Sequence, residues 1–526
     1  MLNNILRILG HKTLGKDSFL LLIFCGIAIT AALIKGQNFC WDCLHYHYYN
    51  GWAFLNDRLS IDVTPADGLR SYFPPMLDAI EYKMFIVLPP VIFLSILGLI
   101  SGIGIFYCFL VNEIILKDDN IFVVLLATLI SCTGVAHVMQ LGSITNENIV
   151  AVFLIMALYY LLCYYQNQKK SYLVLFGLAL GVAIGFKLTA VTAVIAMLVT
   201  FSLQHINFRK HLLSYLLIGT SLIVAVCLFN GFWMVKMYQL FHNPLYPNFN
   251  NLFNPGSGLD FSRDQIYLPK DISSWILLPF KLMIKTPELT DFSAIRDWHF
   301  AFALLAIVLF LFRKYILKRS IVLSTATNKI VRGKQISYIL STFVIGYLLW
   351  EWLFAIQRYT IFFEYLSGTI AVYTVLLFTG QNSTFKKLSL ILLLVCMSAT
   401  IKSANLGYVP LSADIKKLPD EIKIEQALVI LENGTSYLAP QLGSSNIYIN
   451  DFFAQYTDNR HYIAKAKLLE HFIALHQDIY LVYEEGHEDS IRSMKWLIDN
   501  QLILSECKYI AAFKMSRRVM CKLQLK

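Results

Sequence analysis

NFCWDCLHYHYYNGWAFLNDRLSIDVTPADGLRSYFPPMLDAIEY, residues 38–82, separates two long apolar runs and is itself too polar for lipid and too aromatic for a plain linker. It carries Asp42, Asp57, Asp62, Asp67 and Asp78, with Arg58 and Arg70 among them and His45 and His47 beside Asp42. Trp41, Tyr46, Tyr48, Tyr49 and Trp52 surround these charges. Acids, histidines and aromatic rings concentrated between two membrane-length runs read as an active-site loop. The rest of the chain reads as a scaffold that holds this loop on one face of a bilayer, plus a soluble tail on the same face.

The scaffold follows from composition. Of 526 residues, 57% are hydrophobic and only 15% charged, and the mean hydropathy is +0.58, far above what a soluble domain needs. A helix crosses a bilayer with about 20 apolar residues. Eleven candidate spans lie near 18–36, 83–110, 121–139, 149–165, 171–186, 188–204, 212–233, 298–312, 336–356, 360–379 and 388–401. The first follows Arg7, Lys12 and Lys16 without a small-residue cleavage site, so it reads as a retained helix rather than a signal peptide. Residues 171–204 read as two short helices around a tight turn at Gly185-Phe186-Lys187, not as one overlong helix.

Short basic segments set the orientation. Lys169-Lys170, Arg209-Lys210, Lys386-Lys387, the N-terminal bases and the 313–334 segment fall on one side, which the positive-inside rule makes cytoplasmic. The same rule accounts for the net charge of +10 and leaves no case for nucleic acid as a partner. An odd number of spans then puts the 37–82 loop, the 140–148 loop, the 234–297 loop, Arg358 and the C-terminus outside. From Lys402 the composition becomes that of a soluble domain: 427–432, 446–450 and 478–485 read as strands, 464–476 and 488–501 as helices, and 508–525 as a hairpin closed near Met515-Ser516-Arg517. The expected fold is therefore mainly α, a polytopic membrane domain over 1–401 with an extracytoplasmic α/β domain over 402–526. Six cysteines fall in apolar spans as small buried hydrophobes. Cys507 and Cys521 flank the hairpin turn, where a cross-strand disulfide is permitted.

Asp42 leads the candidates because it lies where the first span leaves the membrane. Helical spacing places Tyr46 and Tyr49 on its face and His45 beside it. Such a carboxylate serves as a general base, a metal ligand or simply an N-cap. Asp57-Arg58-Asp62 reads as a structural ion pair and turn, and Asp78 as an N-cap or a site residue. Cys40-x-x-Cys43 lacks the βαβ setting of a redox motif, and with His45 and His47 it does not converge as a zinc set. Lys187, inside GFKLTA, is costly in lipid unless paired or opened to a cavity. Arg358 and Glu364, near the membrane boundary, pair with each other or leave the arginine fork for a phosphate. Arg263-Asp264 and Arg296-Asp297 each read equally as an anion contact or a local pair, and 242–255, HNPLYPNFNNLFNP, as an ordered surface segment.

Taken in order, four motifs resemble the GT-C class of polytopic membrane glycosyltransferases, in particular the bacterial type that uses polyprenyl-phosphate sugars. They are WDxxxYHYYNxWAxLNxR (Trp41 to Arg58) with DxxPA (Asp62 to Ala66), GxxxGxKLTA (Gly181 to Ala190), NPLYPxFNxxFNP (Asn243 to Pro255) and QRYxxxxE (Gln357 to Glu364). The resemblance covers most of the membrane part. It implies a sugar passed from a polyprenyl-phosphate donor to a glycan, lipid or protein acceptor on the outer, periplasmic face of a bacterial inner membrane. Asp42 matches the acidic residue of the first outer loop. Arg358, Lys187, Arg296 and Arg263, in that order, are the implied contacts to the lipid phosphate, with His45, Tyr46, Tyr49, Asp62 and Glu364 as further substrate contacts. The loop lacks a paired-acid DxD or EE motif, which leaves a role for a divalent cation, Mg or Mn, open. A transporter of a small polar or anionic solute is the alternative from another class, but it calls for repeated halves that the sequence does not show.

Overall fold

The computed structural model describes residues 14–116, 121–255, 266–284, 296–323, 329–379, 383–398, 408–411, 422, 424–432, 434–450, 459–486, 494–498, 500–510 and 518–526. They form two compact units: residues 1–32, 95–229 and 263–406 in the first, and 33–94, 230–262 and 407–526 in the second. Arg263, the turn at 515–517 and half of the expected helix 488–501 lie outside the described residues.

The described part of the first unit is helical. Seven helices of the described chain are long and apolar enough to cross a membrane: Gly15–Lys35, Pro90–Ile115, Glu147–Asn167, Phe208–Phe241, His299–Ile316, Ile330–Leu353 and Gln357–Thr379. Ile121–Ser131, Ser171–Phe186 and Leu188–Gln204 are shorter apolar helices. With the helix Ser383–Ser398, every one of the eleven expected spans falls on a helix. Two of them are interrupted. The run 83–110 breaks at Leu88, which is extended at φ −88°, ψ 148°. Pro89 follows, and a residue before proline is driven out of the α region. The run 121–139 divides into Ile121–Ser131 and Val135–Gln140, with Gly134 extended between them. A Cβ on Gly134 would lie 2.2 Å from Glu364 Oε2, so glycine is what admits that carboxylate to the break.

Two glycines explain the tightest helix pair of this unit. On Ser171–Phe186, a Cβ at Gly177 would meet Ser221 Oγ at 2.0 Å, and one at Gly181 would meet the Leu222 carbonyl oxygen at 2.3 Å. Small residues four apart let two membrane helices pack backbone to backbone. The helices Glu147–Asn167 and Gln357–Thr379 are each 89% buried over their apolar window, so they are the inner helices of the unit.

The helix Phe208–Phe241 has 34 residues, about 51 Å at 1.5 Å per residue. That exceeds a hydrocarbon core of about 30 Å. Its last turns, from Asn230 on, belong to the second unit.

A five-stranded sheet organises the second unit. With β1 (Gln37–Asn38) and β2 (Tyr408–Val409) paired by themselves, β3 (Leu428–Leu431), β4 (Ile447–Asn450), β5 (Ile479–Glu484), β6 (Leu502–Ile510) and β7 (Arg518–Leu525) run in the order β4-β3-β5-β7-β6. β3 is parallel to β4 and β5, and β7 is antiparallel to β5 and β6. All four residues of β3, LVIL, are buried, the signature of a strand covered on both faces. Leu469 and Phe472, from the helix Asn459–Ala474, pack with Leu428 and Ile430 in one apolar cluster. The 37–82 loop adds further cover. Val63 bridges Ile449 in parallel, Trp52 meets Tyr448 edge-on at 5.9 Å, and Ser436 Oγ donates to the Leu44 carbonyl at 3.0 Å. The expected pairing of Cys507 and Cys521 is present as a disulfide across β6 and β7.

Candidate active site

Two polar clusters, one in each unit, hold most of the expected site residues; Arg296 stands apart from them, and Arg263 lies outside the described residues. In the second unit the chain leaves β1 into a π-helical turn, Cys43–His47, that runs on as the α-helix Tyr48–Leu55. Asp42 occupies the N-cap position of that turn and is only 2% exposed, yet its side chain makes no capping bond. Its backbone is already helical, at φ −60° and ψ −38°, so the carboxylate is not held by the role that its position allows.

The two histidines diverge. His45 Nδ1–H donates to the Trp41 carbonyl at 2.7 Å, and its ring stacks on Trp41 at 3.6 Å. Arg70 lies 4.9 Å from the Trp41 ring and pairs with Asp67, which completes a ladder of imidazole, indole and guanidinium. Gly434, at φ +81°, brings bare backbone to the His45 ring. His47 Nδ1–H instead donates to Asp78 Oδ1 at 2.7 Å, both groups being buried, and the buried His47 Nε2 has no hydrogen-bond partner among the described residues. Asp78 thus anchors His47 from the first turn of the helix Met76–Val87. Cys40 Sγ lies 2.7 Å from Cys43 Sγ, and both cysteines are free. Among the described residues no group of three or more His, Cys, Asp or Glu is arranged to hold a metal ion.

Burial pushes the His45 imidazole down to about 4, against the pull of Asp67. Between that value and the ordinary 6.5, the unfolded chain binds a proton that the folded chain does not, so stability rises with pH across this window. Acidification from pH 7 to pH 5 is expected to cost about 2 kcal/mol through this group. His45→Asn keeps a donor for the Trp41 carbonyl but does not titrate. Its melting temperature should fall less between pH 7 and pH 5 than that of the wild type, and equal falls would refute the assignment. Burial raises the Asp62 carboxyl, which acts in the opposite sense, but Asp62 is common to both proteins and drops out of the difference.

Of Asp57-Arg58-Asp62, Arg58 and Asp62 form the ion pair that the sequence favours, while Asp57 is exposed at φ +50°. Arg58 Nε donates to Asp62 Oδ2 at 2.9 Å and Nη2 to Oδ1 at 2.6 Å, while Nη1 donates to the Ser444 carbonyl at 2.7 Å. Asp62 also accepts from Tyr49 Oη at 2.7 Å and from the Tyr448 amide at 2.9 Å. Tyr46 packs on the His47 ring at 4.3 Å and edge-on to Phe73 at 5.6 Å. The segment 242–255 is ordered as expected: Asn243 is fully buried and closes its own turn onto the Asn248 carbonyl, and Tyr246 stacks on Phe241 at 3.9 Å.

In the first unit the chemistry gathers where helices break. Lys187 is extended, at φ −148° and ψ 119°, between Ser171–Phe186 and a 3-10 turn at Leu188–Ala190, which is the tight turn read from the sequence. Its Nζ donates to Glu147 Oε1 at 2.6 Å and to the Thr145 carbonyl at 2.7 Å. Arg358, in a 3-10 turn over Gln357–Thr360, brings Nε to 3.6 Å from the same Glu147 oxygen. Of the two readings of Arg358, the pair with Glu364 is not formed. Glu364 is fully buried and accepts from the Ala136 and His137 amides at 2.7 and 2.9 Å, at the start of the helix Val135–Gln140. A carboxylate at a helix N-terminus meets free amides and the positive end of the dipole, so it has no need of the arginine. Arg296 is exposed, and the Asp297 carboxylate turns to His299 and Gln357, at 3.1 and 2.7 Å.

Glu147 is the residue that the sequence reading missed. It is the single acid between Asp119 and Asp260, at the start of an apolar span, and that isolation is the signal that points to it. The buried Glu147 carboxylate is thus shared by two cations. The cavity at this point, lined by Glu147, Lys187, Arg358 and Tyr359, measures about 20 Å³, room for a single water.

Residues 87–233 match the profile of the dolichyl-phosphate-mannose-protein mannosyltransferase family. The chain also superposes on ArnT from Cupriavidus metallidurans, solved bound to undecaprenyl phosphate, with a TM-score of 0.53 and 13% identity over 95% of this chain and 97% of that one. The chain has the GT-C fold. The apo oligosaccharyltransferase of Archaeoglobus fulgidus matches with a TM-score of 0.47 and 13% identity over 89% of this chain and 69% of that one. No curated protein matches the chain. The family match spans the segment that carries both Glu147 and Lys187.

Proposed function

We propose that this GT-C protein moves a sugar from a polyprenyl-phosphate donor to a hydroxyl acceptor, working at the outer face of a bacterial inner membrane. The observation that carries the reading is the convergence of Lys187 and Arg358 on one buried carboxylate, each from a break at the end of an apolar helix. A lipid-linked donor presents its phosphate at the membrane boundary and its tail in the bilayer, so it needs cations in that position. The fold shared with ArnT over nearly all of both chains supports the same reading.

In this mechanism Lys187 and Arg358 bind the donor phosphate, and Glu147 holds the two side chains ready before the donor arrives. The acceptor oxygen forms a bond to the anomeric carbon as the bond from that carbon to the phosphate oxygen breaks. The polyprenyl phosphate leaves with the electron pair, stabilised by the cations, and Asp42 takes the acceptor proton. Asp62 and Tyr49 hold the loop's inner surface for substrate, with His45 and Tyr46 supporting Asp42. Glu364 acts through the helix that it caps, while Arg296 and Arg263 supplement the phosphate contacts. On this reading the C-terminal sheet, like the 37–82 loop, is extracytoplasmic.

The test is transfer from a panel of radiolabelled polyprenyl-phosphate sugars by the protein in nanodiscs, with a membrane extract supplying acceptors. Arg358→Ala is expected to raise the KM for the donor roughly 10- to 100-fold, the worth of a charge-assisted hydrogen bond. Arg358→Lys should recover part of the loss, because it keeps the charge but not the fork. Inactivity with every donor, together with uptake of a small anion into proteoliposomes, would replace the transferase with a carrier.

A further inference from the structure

A second feature of the active-site loop is a cavity of about 430 Å³, within the size range of small-molecule sites. The helix Tyr48–Leu55 gives it Asn50 and Phe54, the turns after it give Asp57 and Ser71, and the extended end of Phe208–Phe241 gives Phe232 and Lys236. Phe54 and Phe232 are exposed, with ring centroids 5.6 Å apart. Behind them Trp233 is buried, and its indole N–H is spent on the Tyr72 carbonyl at 3.0 Å, so only its apolar surface faces outward.

The polar wall is chemically distinct from the phosphate cluster. Asn50 is 2% exposed and its Nδ2 donates to the Arg70 carbonyl at 3.0 Å, while its Oδ1 is buried without a hydrogen-bond partner. A buried amide oxygen left unpaired costs about 1–3 kcal/mol. It lines a cavity that could supply the missing donor. Asp57 is exposed and held at φ +50°, and Lys236 is exposed on the opposite element. Their charges offset each other, and the Asp62 carboxylate beside them is already neutralised by Arg58.

We infer that this cavity is a binding subsite for an uncharged pyranose. Exposed aromatic faces accept the C–H face of a sugar ring. Asn50 Oδ1 and the Asp57 carboxylate accept from hydroxyls, and Lys236 donates to one. Offset wall charges favour a neutral sugar over an anionic one. Assigning that sugar to the acceptor rests on the transferase reading, whereas its binding does not.

Saturation-transfer NMR on the full-length protein in nanodiscs tests this without any donor. The probes are the methyl glycosides of a neutral hexose, an N-acetylhexosamine and a hexuronic acid. The two neutral glycosides are expected to saturate, strongest at the protons of the face that meets the aromatic rings. Phe232→Ala, at an exposed ring, should weaken binding about tenfold at an unchanged melting temperature, and Asn50→Ala should weaken it by a similar factor while also lowering the melting temperature, because the Arg70 carbonyl loses its donor. Asp42→Asn should still bind the glycosides while failing in transfer, which separates the two proposals. Saturation of the hexuronate alone, or binding unchanged in Phe232→Ala, would overturn the inference.

Discussion

Asp42→Asn should abolish sugar transfer while leaving the protein as stable as the wild type. General-base catalysis is worth roughly 10²–10⁴-fold, and asparagine retains the size of the side chain while losing its basicity. The substitution also separates function from capping. Asparagine caps a helix as well as aspartate, so a purely structural Asp42 would tolerate the change with full activity. In the structure Asp42 holds the N-cap position without making a capping bond, so no cap is lost in the exchange. Initial rates with a saturating donor, set beside melting curves of both proteins, decide it. Wild-type turnover in Asp42→Asn would remove Asp42 from the mechanism.

Arg58→Met should be the most destabilising single change in the active-site loop. Asp62 is buried, and Arg58 supplies both of its side-chain cation bonds while also holding the Ser444 carbonyl. Removing one partner of a buried pair strands the other charge, at about 3–5 kcal/mol. Arg58→Lys should rescue little, since an ammonium cannot span both carboxylate oxygens and a carbonyl together. Arg58→Met with Asp62→Leu should recover much of the loss, because the stranded charge goes with it. Denaturant unfolding followed by tryptophan fluorescence measures these differences. A loss below about 1 kcal/mol in Arg58→Met would mean that the pair behaves like an exposed one.

These two residues differ in how far the sequence could reveal them. The buried setting of Asp42 was legible because it is local: an acid at the end of an apolar span, with histidines and tyrosines within one helical turn. The ion pair of Arg58 and Asp62 was legible too, being four residues apart. That Asp62 also receives the amide of Tyr448 was not, for the two lie 386 positions apart. Glu364 shows the same limit. Its nearest cation in sequence, Arg358, is six residues away, yet its partners are two amides more than 200 positions distant.

What the sequence by itself determined is what depends on short stretches of chain. Apolar runs long enough to cross a bilayer placed every span on a helix, and β-rich runs placed β3, β4 and β5. Prolines and glycines moved the boundaries, through local rules applied in a particular context. Only the tertiary structure decided the partners: Arg358 with Glu147, Glu364 with a helix end, and the 37–82 loop with the sheet near Ile449. Burial removes competing water, so a charge or an amide takes whichever partner the packing brings within about 3 Å. That choice depends on distances in space, which the order of residues along the chain does not record.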